Sequence, residues 1–253
     1  MPVVQDSTPE AYRRRGYAVV DKLLSPGELA ALQSRIAEIA AGPVSSFPRE
    51  YLEFEPERPE SPETVRKVNN LAEFDPELRQ LVCGDAILDV VETLIGPDIK
   101  LFGSQCFMKP PGGVEKPYHQ DSAYFCIEPR ALVTCWIALD DVTLENGCLW
   151  VIPGSHLGRL HDHSEPWKIG DRVDIQVPQS RIEIDRETPI TMPAGSCSFH
   201  HSMLLHRSGP NRTDRSRRGL AVHFMSSRSR WTDARREQPD YPLLRGREYE
   251  NCV

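Results

Sequence analysis

The sequence predicts a mainly β domain, a jelly-roll barrel with helices packed on its outside. Three observations carry that expectation. Strand-length apolar segments divided by Gly, Pro and Asn turns fill the chain from about Ile99 onward. Capped segments with helical apolar spacing are confined to the part before it. Many short strands behind a helical lead suit a closed or double-layered antiparallel fold.

Taken in order, Tyr17-Ala-Val-Val is a short strand. Ser25-Pro26-Gly27-Glu28 is a capping box with proline at the first helical position. Leu29, Leu32, Ile36 and Ile39 then share one face of the helix it opens. Asp75-Pro76-Glu77 starts a second helix, and a third covers residues 85–95 and stops at Gly96-Pro97. Strands are expected over residues 100–108, 131–139, 148–152, 188–192, 196–200, 203–206 and 220–225. Turn chemistry separates them at residues 110–113, 145–147, 153–154, 193–195 and 209–211. Residues 43–66 and 157–187 read as irregular, and loops of that length are disordered or act as lids. The expected organisation is a single domain over 1–253: a helix-rich lead to residue 98, a jelly-roll core over 99–226 and a tail over 227–253.

At 253 residues and 39% hydrophobic, the chain can bury a substantial core. Its net charge of −7 weighs against a general nucleic-acid binder. The seven cysteines, at 83, 106, 126, 135, 148, 197 and 252, form no C-x-x-C pair and read as reduced thiols, mostly core filler. The N-terminus lacks the basic and apolar regions of a signal peptide, and the longest apolar-rich run, 131–139, is too short to span a bilayer. A soluble cytoplasmic protein acting on a small molecule is expected, with neither nucleic acid nor membrane as partner. Oligomeric state is not legible.

The chemistry concentrates in His119-Gln120-Asp121. Residues i and i+2 of a strand point to the same side, so His119 and Asp121 can share one cation. His163-Ser164-Glu165 is a rival pair, but it sits in the polar 157–187 stretch and reads as a solvated loop. For a third ligand, His200, His201 and His206 lie nearest a strand-turn-strand pattern. Arginines stand eleven residues beyond two of them, Arg212 after His201 and Arg217 after His206. Arg212 falls inside the turn Gly209-Pro-Asn-Arg-Thr-Asp and would face water. Arg217 begins the next strand, so a hairpin returns it beside His206; Arg218 should then face outwards. Two histidines and a carboxylate suit Fe(II) with open positions for O₂ and a co-substrate. An arginine fork suits a carboxylate.

These residues resemble the phytanoyl-CoA dioxygenase family of Fe(II)/2-oxoglutarate oxygenases. The matching pieces are Tyr118-His-Gln-Asp-Ser122, the run from Cys135 through Trp-Ile-Ala-Leu-Asp-Asp and Glu-Asn-Gly to Pro-Gly-Ser-His156, and Leu205-His-Arg-Ser-Gly-Pro-Asn-Arg-Thr-Asp-Arg-Ser-Arg217. The middle run is the most specific. The resemblance implies a double-stranded β-helix, the cupin-like jelly roll, with iron on His119, Asp121 and His206. It implies 2-oxoglutarate held by Arg217 with Ser208 beside it. Trp136 matches a position lining the co-substrate pocket, and Lys67 and Gln105 match positions that reach the co-substrate. Related halogenases have a small residue in place of the carboxylate, so Asp121 argues for hydroxylation or oxidative ring closure. The expected function is a tailoring oxygenase of secondary metabolism. An acyl-CoA hydroxylase of the same family, a non-catalytic jelly-roll binding protein and a zinc-dependent cupin-type hydrolase or isomerase are the alternatives, and a nucleic-acid or protein demethylase is the weakest. Aromatic and polar residues of the two irregular stretches, among them Phe47, Tyr51, Phe54, Trp167 and Asp171, either contact a polar ligand or form solvated loops. Arg228, Arg230, Arg235 and Arg236 read as a solvated basic tail.

Overall fold

The computed structural model describes residues 7–42, 47–55, 58–169 and 172–253. Their helices are α1 (Thr8–Arg15), α2 (Pro26–Ala41), α3 (Leu71–Phe74), α4 (Pro76–Val82) and α5 (Asp85–Ile95). The strands before the barrel's long spine are β1 (Tyr17–Val20), β2 (Leu52–Phe54) and β3 (Val65–Asn69). From there run β4 (Ile99–Lys109), β5 (Lys116–His119), β6 (Ile127–Glu128), β7 (Val133–Ala138) and β8 (Leu149–Val151). The rest are β9 (Pro166–Ile169), β10 (Arg172–Ile175), β11 (Thr188–Ile190), β12 (Cys197–His201), β13 (His206–Ser208), β14 (Arg217–Ser226), β15 (Arg230–Trp231) and β16 (Leu243–Arg245).

An eight-stranded sheet in the order β1-β12-β7-β14-β4-β3-β2, with β16 also on β4, faces a four-stranded sheet in the order β11-β8-β13-β5. This is the double-stranded β-helix. The large sheet is covered on both sides, and strand alternation divides its residues between them. Cys106, Cys135, Ile137, Leu220, Val222 and Phe224 face the helices, where Leu32, Ile36, Leu78, Ile87 and Val91 meet them. Trp136, Ala138 and Ala221 face inward and pack with Leu149, Val151 and Ile190 of the small sheet. The shell is thus apolar, and the inner face is left for polar groups near the site.

Local signals account for the helices. Ser25 Oγ accepts from the Glu28 N–H while the Glu28 carboxylate accepts from the Ser25 N–H, closing the capping box. Leu32, Ile36 and Ile39 are buried, and Leu29 is half-buried. α1, absent from the expected elements, starts at a second capping box between Ser7 and Glu10. Half of its eight residues are charged, so no apolar stripe announces it.

Four expectations are corrected. Residues 203–205 are a turn, closed by the Leu204 N–H on the His201 carbonyl, and the strand begins at His206. The 43–66 stretch contains β2 and the start of β3, which extend the large sheet, although residues 43–46 and 56–57 lie outside the described residues. Residues 157–187 contain the two-stranded sheet β9–β10, with 170–171, and so Asp171, outside the described residues. These strands are too short for a clear alternation signal. The tail carries a strand of the large sheet, since β16 pairs with β4, although Arg228, Arg230, Arg235 and Arg236 are exposed as expected, the last two on Asp233. All seven cysteines are free thiols, and no helix of the described residues is long and apolar enough to cross a membrane.

Gly219 sits in β14 where the Trp136 ring crosses the strand; a Cβ there would fall 1.8 Å from a ring carbon. Gly219→Ala should therefore displace Trp136 and destabilise the protein by about 1–3 kcal/mol, read by thermal melting and tryptophan fluorescence.

Candidate metal centre and co-substrate pocket

His206, the first residue of β13, lies directly opposite His119, the last of β5. Their ring centroids are 4.2 Å apart. Asp121 stands just past the end of β5, on the first residue of a 3-10 turn. Gln120 between them keeps an extended backbone, so the two-residue alternation carries through and Asp121 turns to the same side as His119. Asp121 Oδ1 is 3.6 Å from Nε2 of both histidines, and the three donor atoms lie within 4.8 Å of one another.

The tautomers are set by the backbone. His119 Nδ1 is 2.8 Å from the Pro117 carbonyl oxygen and His206 Nδ1 is 2.9 Å from that of Leu204. A carbonyl only accepts, so each Nδ1 carries the hydrogen and each Nε2 offers a lone pair. Burial pushes His119 well below the usual imidazole range and His206 to about 4. Burial opposes the charge on Asp121, yet His206, His200 and His223 hold its carboxyl well below the ordinary carboxylate value. Two neutral imidazole lone pairs and one carboxylate oxygen therefore converge with no hydrogen between them. A divalent cation is the partner this donor set fits, and one face of an octahedral iron(II) is its geometry.

Gln120 faces the other way and is fully buried. Its Nε2 donates to the Met203 carbonyl and its Oε1 accepts from the His161 N–H. The Gln120 N–H donates to His163 Nε2. The expectation of a solvated His163 loop pair is thus corrected: His163 is a half-buried brace behind the metal segment.

A directed chain supports the carboxylate from the opposite wall. Thr134 Oγ1 is 2.9 Å from Asp121 Oδ2 and 2.9 Å from His223 Nδ1. An ionised carboxylate only accepts, so the Thr134 hydroxyl donates to it and receives the His223 Nδ1 hydrogen. His223 Nε2 is then the acceptor for the Gln105 amide, 3.0 Å away. His200 Nε2 lies 3.5 Å from Asp121 Oδ2. Asp121 Oδ1 is left to the metal side. Thr134 and His223 were not expected from the sequence, although both show the two-residue stagger from Trp136 and Ala221 that marks an inward position.

A cavity of about 240 Å³ opens from this centre, lined among others by Trp136, Ser208, Arg217, Lys67 and Gln105. Arg217 is 2% exposed. Its Nη2 donates to the Gly147 carbonyl at 2.9 Å and its guanidinium lies 5.3 Å from the Trp136 ring centroid, while its buried Nε has no partner. Lys109, facing Arg217 across β4 and β14, donates to Ser208 Oγ at 2.9 Å and to the Gly209 carbonyl. Burial lowers Arg217 to about 10, and burial together with the Arg217 charge pushes Lys109 well down. Neither has a carboxylate in ion-pair contact among the described residues. Two buried cations and an orphaned donor form a seat for a carboxylate. Lys109, which no sequence signal singled out, is two residues beyond Phe107 on the inner face. Arg212 is exposed, and Arg218 is bound outward by Asp140, as alternation predicts.

The fold and this site define a non-haem iron oxygenase that uses a 2-oxo acid. The chain belongs to the phytanoyl-CoA dioxygenase (PhyH) family, whose model matches residues 12–219. It is 29% identical over 234 residues to the peroxisomal phytanoyl-CoA dioxygenase of Homo sapiens, covering 88% of this chain and 69% of that one. It is 27% identical over 219 residues to a probable alpha-ketoglutarate-dependent hypophosphite dioxygenase of Stutzerimonas stutzeri, covering 85% and 77%. Among solved structures it resembles the epimerase SnoN in complex with Fe³⁺, alpha ketoglutarate and nogalamycin RO, with a TM-score of 0.74, 25% identity and coverage of 94% and 97%.

Two outcomes follow from the geometry. Thr134→Val should weaken metal binding about 10–100-fold, with Thr134→Ser restoring it, in anaerobic competition against a chelator. His206 and His223 are held at about 4 when folded, below the roughly 6.5 of an unfolded imidazole. The unfolded chain thus binds more protons below about pH 6.5, and the stability present above that pH is lost as pH falls towards 4. Melting temperature of the metal-free protein should drop between pH 7 and pH 5, with each imidazole contributing on the order of 2 kcal/mol by pH 5.

Proposed function

We propose that the protein oxidises a small-molecule substrate by hydroxylation or oxidative ring closure, with iron on His119, Asp121 and His206 and 2-oxoglutarate on Arg217. The observation that carries this reading is the convergence of three hydrogen-free donor atoms beside a buried guanidinium with an orphaned Nε. Bound there, iron with 2-oxoglutarate and O₂ supplies the oxidising power.

The chain's own residues bind, orient and shield. Carbonyl acceptors at Pro117 and Leu204 fix both imidazoles, so neither Nε2 has to lose a proton before it binds metal. Arg217, Lys109 and Ser208 grip the far carboxylate of the co-substrate, and Trp136 flattens the wall it lies against. Gln105 serves the centre through His223, since its amide nitrogen is engaged there. No separate protein acid or base is required.

The likeness to SnoN favours a tailoring reaction of secondary metabolism. The likeness to the human phytanoyl-CoA dioxygenase favours an acyl-CoA ester as a second reading. Against it, Arg228 lies against Asp98 and Tyr249 and Arg235 and Arg236 are paired with Asp233; none of the three lines the iron cavity.

Anaerobic titration with Fe(II) and then 2-oxoglutarate should produce a weak visible charge-transfer band. His206→Ala should abolish it, and Arg217→Ala should raise the 2-oxoglutarate concentration needed by about tenfold or more, the scale of a lost charge-assisted pair. A folded, metal-loaded wild type without the band would favour the binding-protein or hydrolase alternatives.

A further inference from the structure

Four of the described residues that line the iron cavity are histidines, and three of them have assigned work. His119 and His206 turn their Nε2 atoms to the metal, and His223 uses both ring nitrogens, on Thr134 and on Gln105. The fourth is His200, which is 3% exposed. It stands on β12 directly opposite Thr134 of β7, and Thr134 holds Asp121, so His200 lies at the level of the metal. Its ring centroid is 4.9 Å from that of His206.

The Nε2 atom of His200 is 3.5 Å from Asp121 Oδ2. An anionic oxygen repels a lone pair and draws an N–H, so Nε2 carries the ring hydrogen. In the neutral ring Nδ1 is then a bare acceptor. The described residues offer Nδ1 no hydrogen bond, although the side chain is almost wholly buried. The Thr134 hydroxyl beside it is already used in both directions. A buried acceptor without a donor costs free energy until one arrives. The co-substrate cannot be that donor, because 2-oxoglutarate is a dianion near neutral pH and carries only acceptors. The seat of its far carboxylate is also remote. Thr134 pairs with His200 on one side and with His223 on the other. Arg217 stands six residues before His223 on β14, roughly 20 Å along the strand.

We infer that the prime substrate presents a hydrogen-bond donor, a hydroxyl or an N–H, to His200 Nδ1, close to the position that is oxidised. This rests on the oxygenase reading and narrows its substrate to one with such a group near the reacting C–H. Two rings at the same level supply an apolar wall for the hydrocarbon part. Tyr124 meets the His119 ring edge-on at 5.9 Å, and Phe125 meets the His223 ring at 5.0 Å. A molecule that offers only acceptors at this place leaves the imidazole unmet, so His200 selects the substrate as well as orienting it.

The test uses the anaerobic Fe(II)–2-oxoglutarate protein and three six-membered-ring probes: cyclohexanol, 2-piperidone and cyclohexanone. The first carries an O–H, the second an N–H and the third only an acceptor. Binding is read as perturbation of the visible band. In the wild type, one or both donors should bind about fivefold or more tightly than cyclohexanone, the scale of one buried hydrogen bond. Which of them does so separates a hydroxyl from an N–H substrate. His200→Phe should erase the preference, and His200→Gln, whose Oε1 keeps an acceptor, should retain it. His200→Leu serves in place of His200→Phe if melting shows that the phenylalanine variant does not fold. Metal affinity should fall less than about tenfold in these variants, because Thr134 still holds Asp121, and 2-oxoglutarate affinity should stay within about twofold. The inference is overturned if cyclohexanone binds as tightly as both donors, if no probe perturbs the band, or if the preference survives His200→Phe. A loss of metal affinity of about a hundredfold would also overturn it, by making His200 a support of the iron site instead of a substrate contact. Absence of the band in wild type is a different failure, that of the oxygenase reading itself.

Discussion

The charge on Asp121 is the interaction around which the barrel interior is arranged. A carboxylate this deeply buried is tolerated only when its surroundings answer it. Here the answer comes from four elements. The two imidazoles of β5 and β13 face one oxygen, and the Thr134 hydroxyl of β7 donates to the other, with His200 of β12 beside it. The two metal-side imidazoles are each fixed by a backbone carbonyl, and Thr134 by the His223–Gln105 pair. The order in the site thus comes from both sheets meeting at one group.

That arrangement needs a large sheet whose two faces differ. The outer face is spent on α2, α4 and α5, and its residues are almost wholly aliphatic, aromatic or cysteine. The inner face can then hold histidine, threonine, lysine and arginine without loss of the core. Gly219 shows how tight the inner face is. The absence of a side chain there lets the Trp136 ring lie over β14, within cation–π range of Arg217.

How much of this was legible depended on whether a residue's meaning is local. His119, Asp121 and His206 could be read because their spacing and flanking turns place them without knowledge of the fold. Arg217 could be read because a hairpin returns it beside His206. Lys109, Thr134 and His223 obey the same two-residue stagger, but a stagger cannot say which face is inside until the partner strands are known. His163 was misread because its role comes from Gln120, 43 positions away. The 157–187 stretch was read as irregular because β9 and β10 are four residues each and answer only to one another.

That last pairing bears on how the fold diversifies. Among the described residues the β9–β10 sheet shares no ladder with either sheet of the barrel, yet it carries Arg172 and Asp174 into the cavity wall. Its sequence can be rewritten without breaking a backbone hydrogen bond of the barrel. The anchorage of iron and co-substrate lies in strands whose inward residues are locked to one another, whereas the rim is an appendage. Change of substrate along a lineage is therefore cheapest in this hairpin, and a new specificity can be acquired there while the oxidising centre is inherited intact.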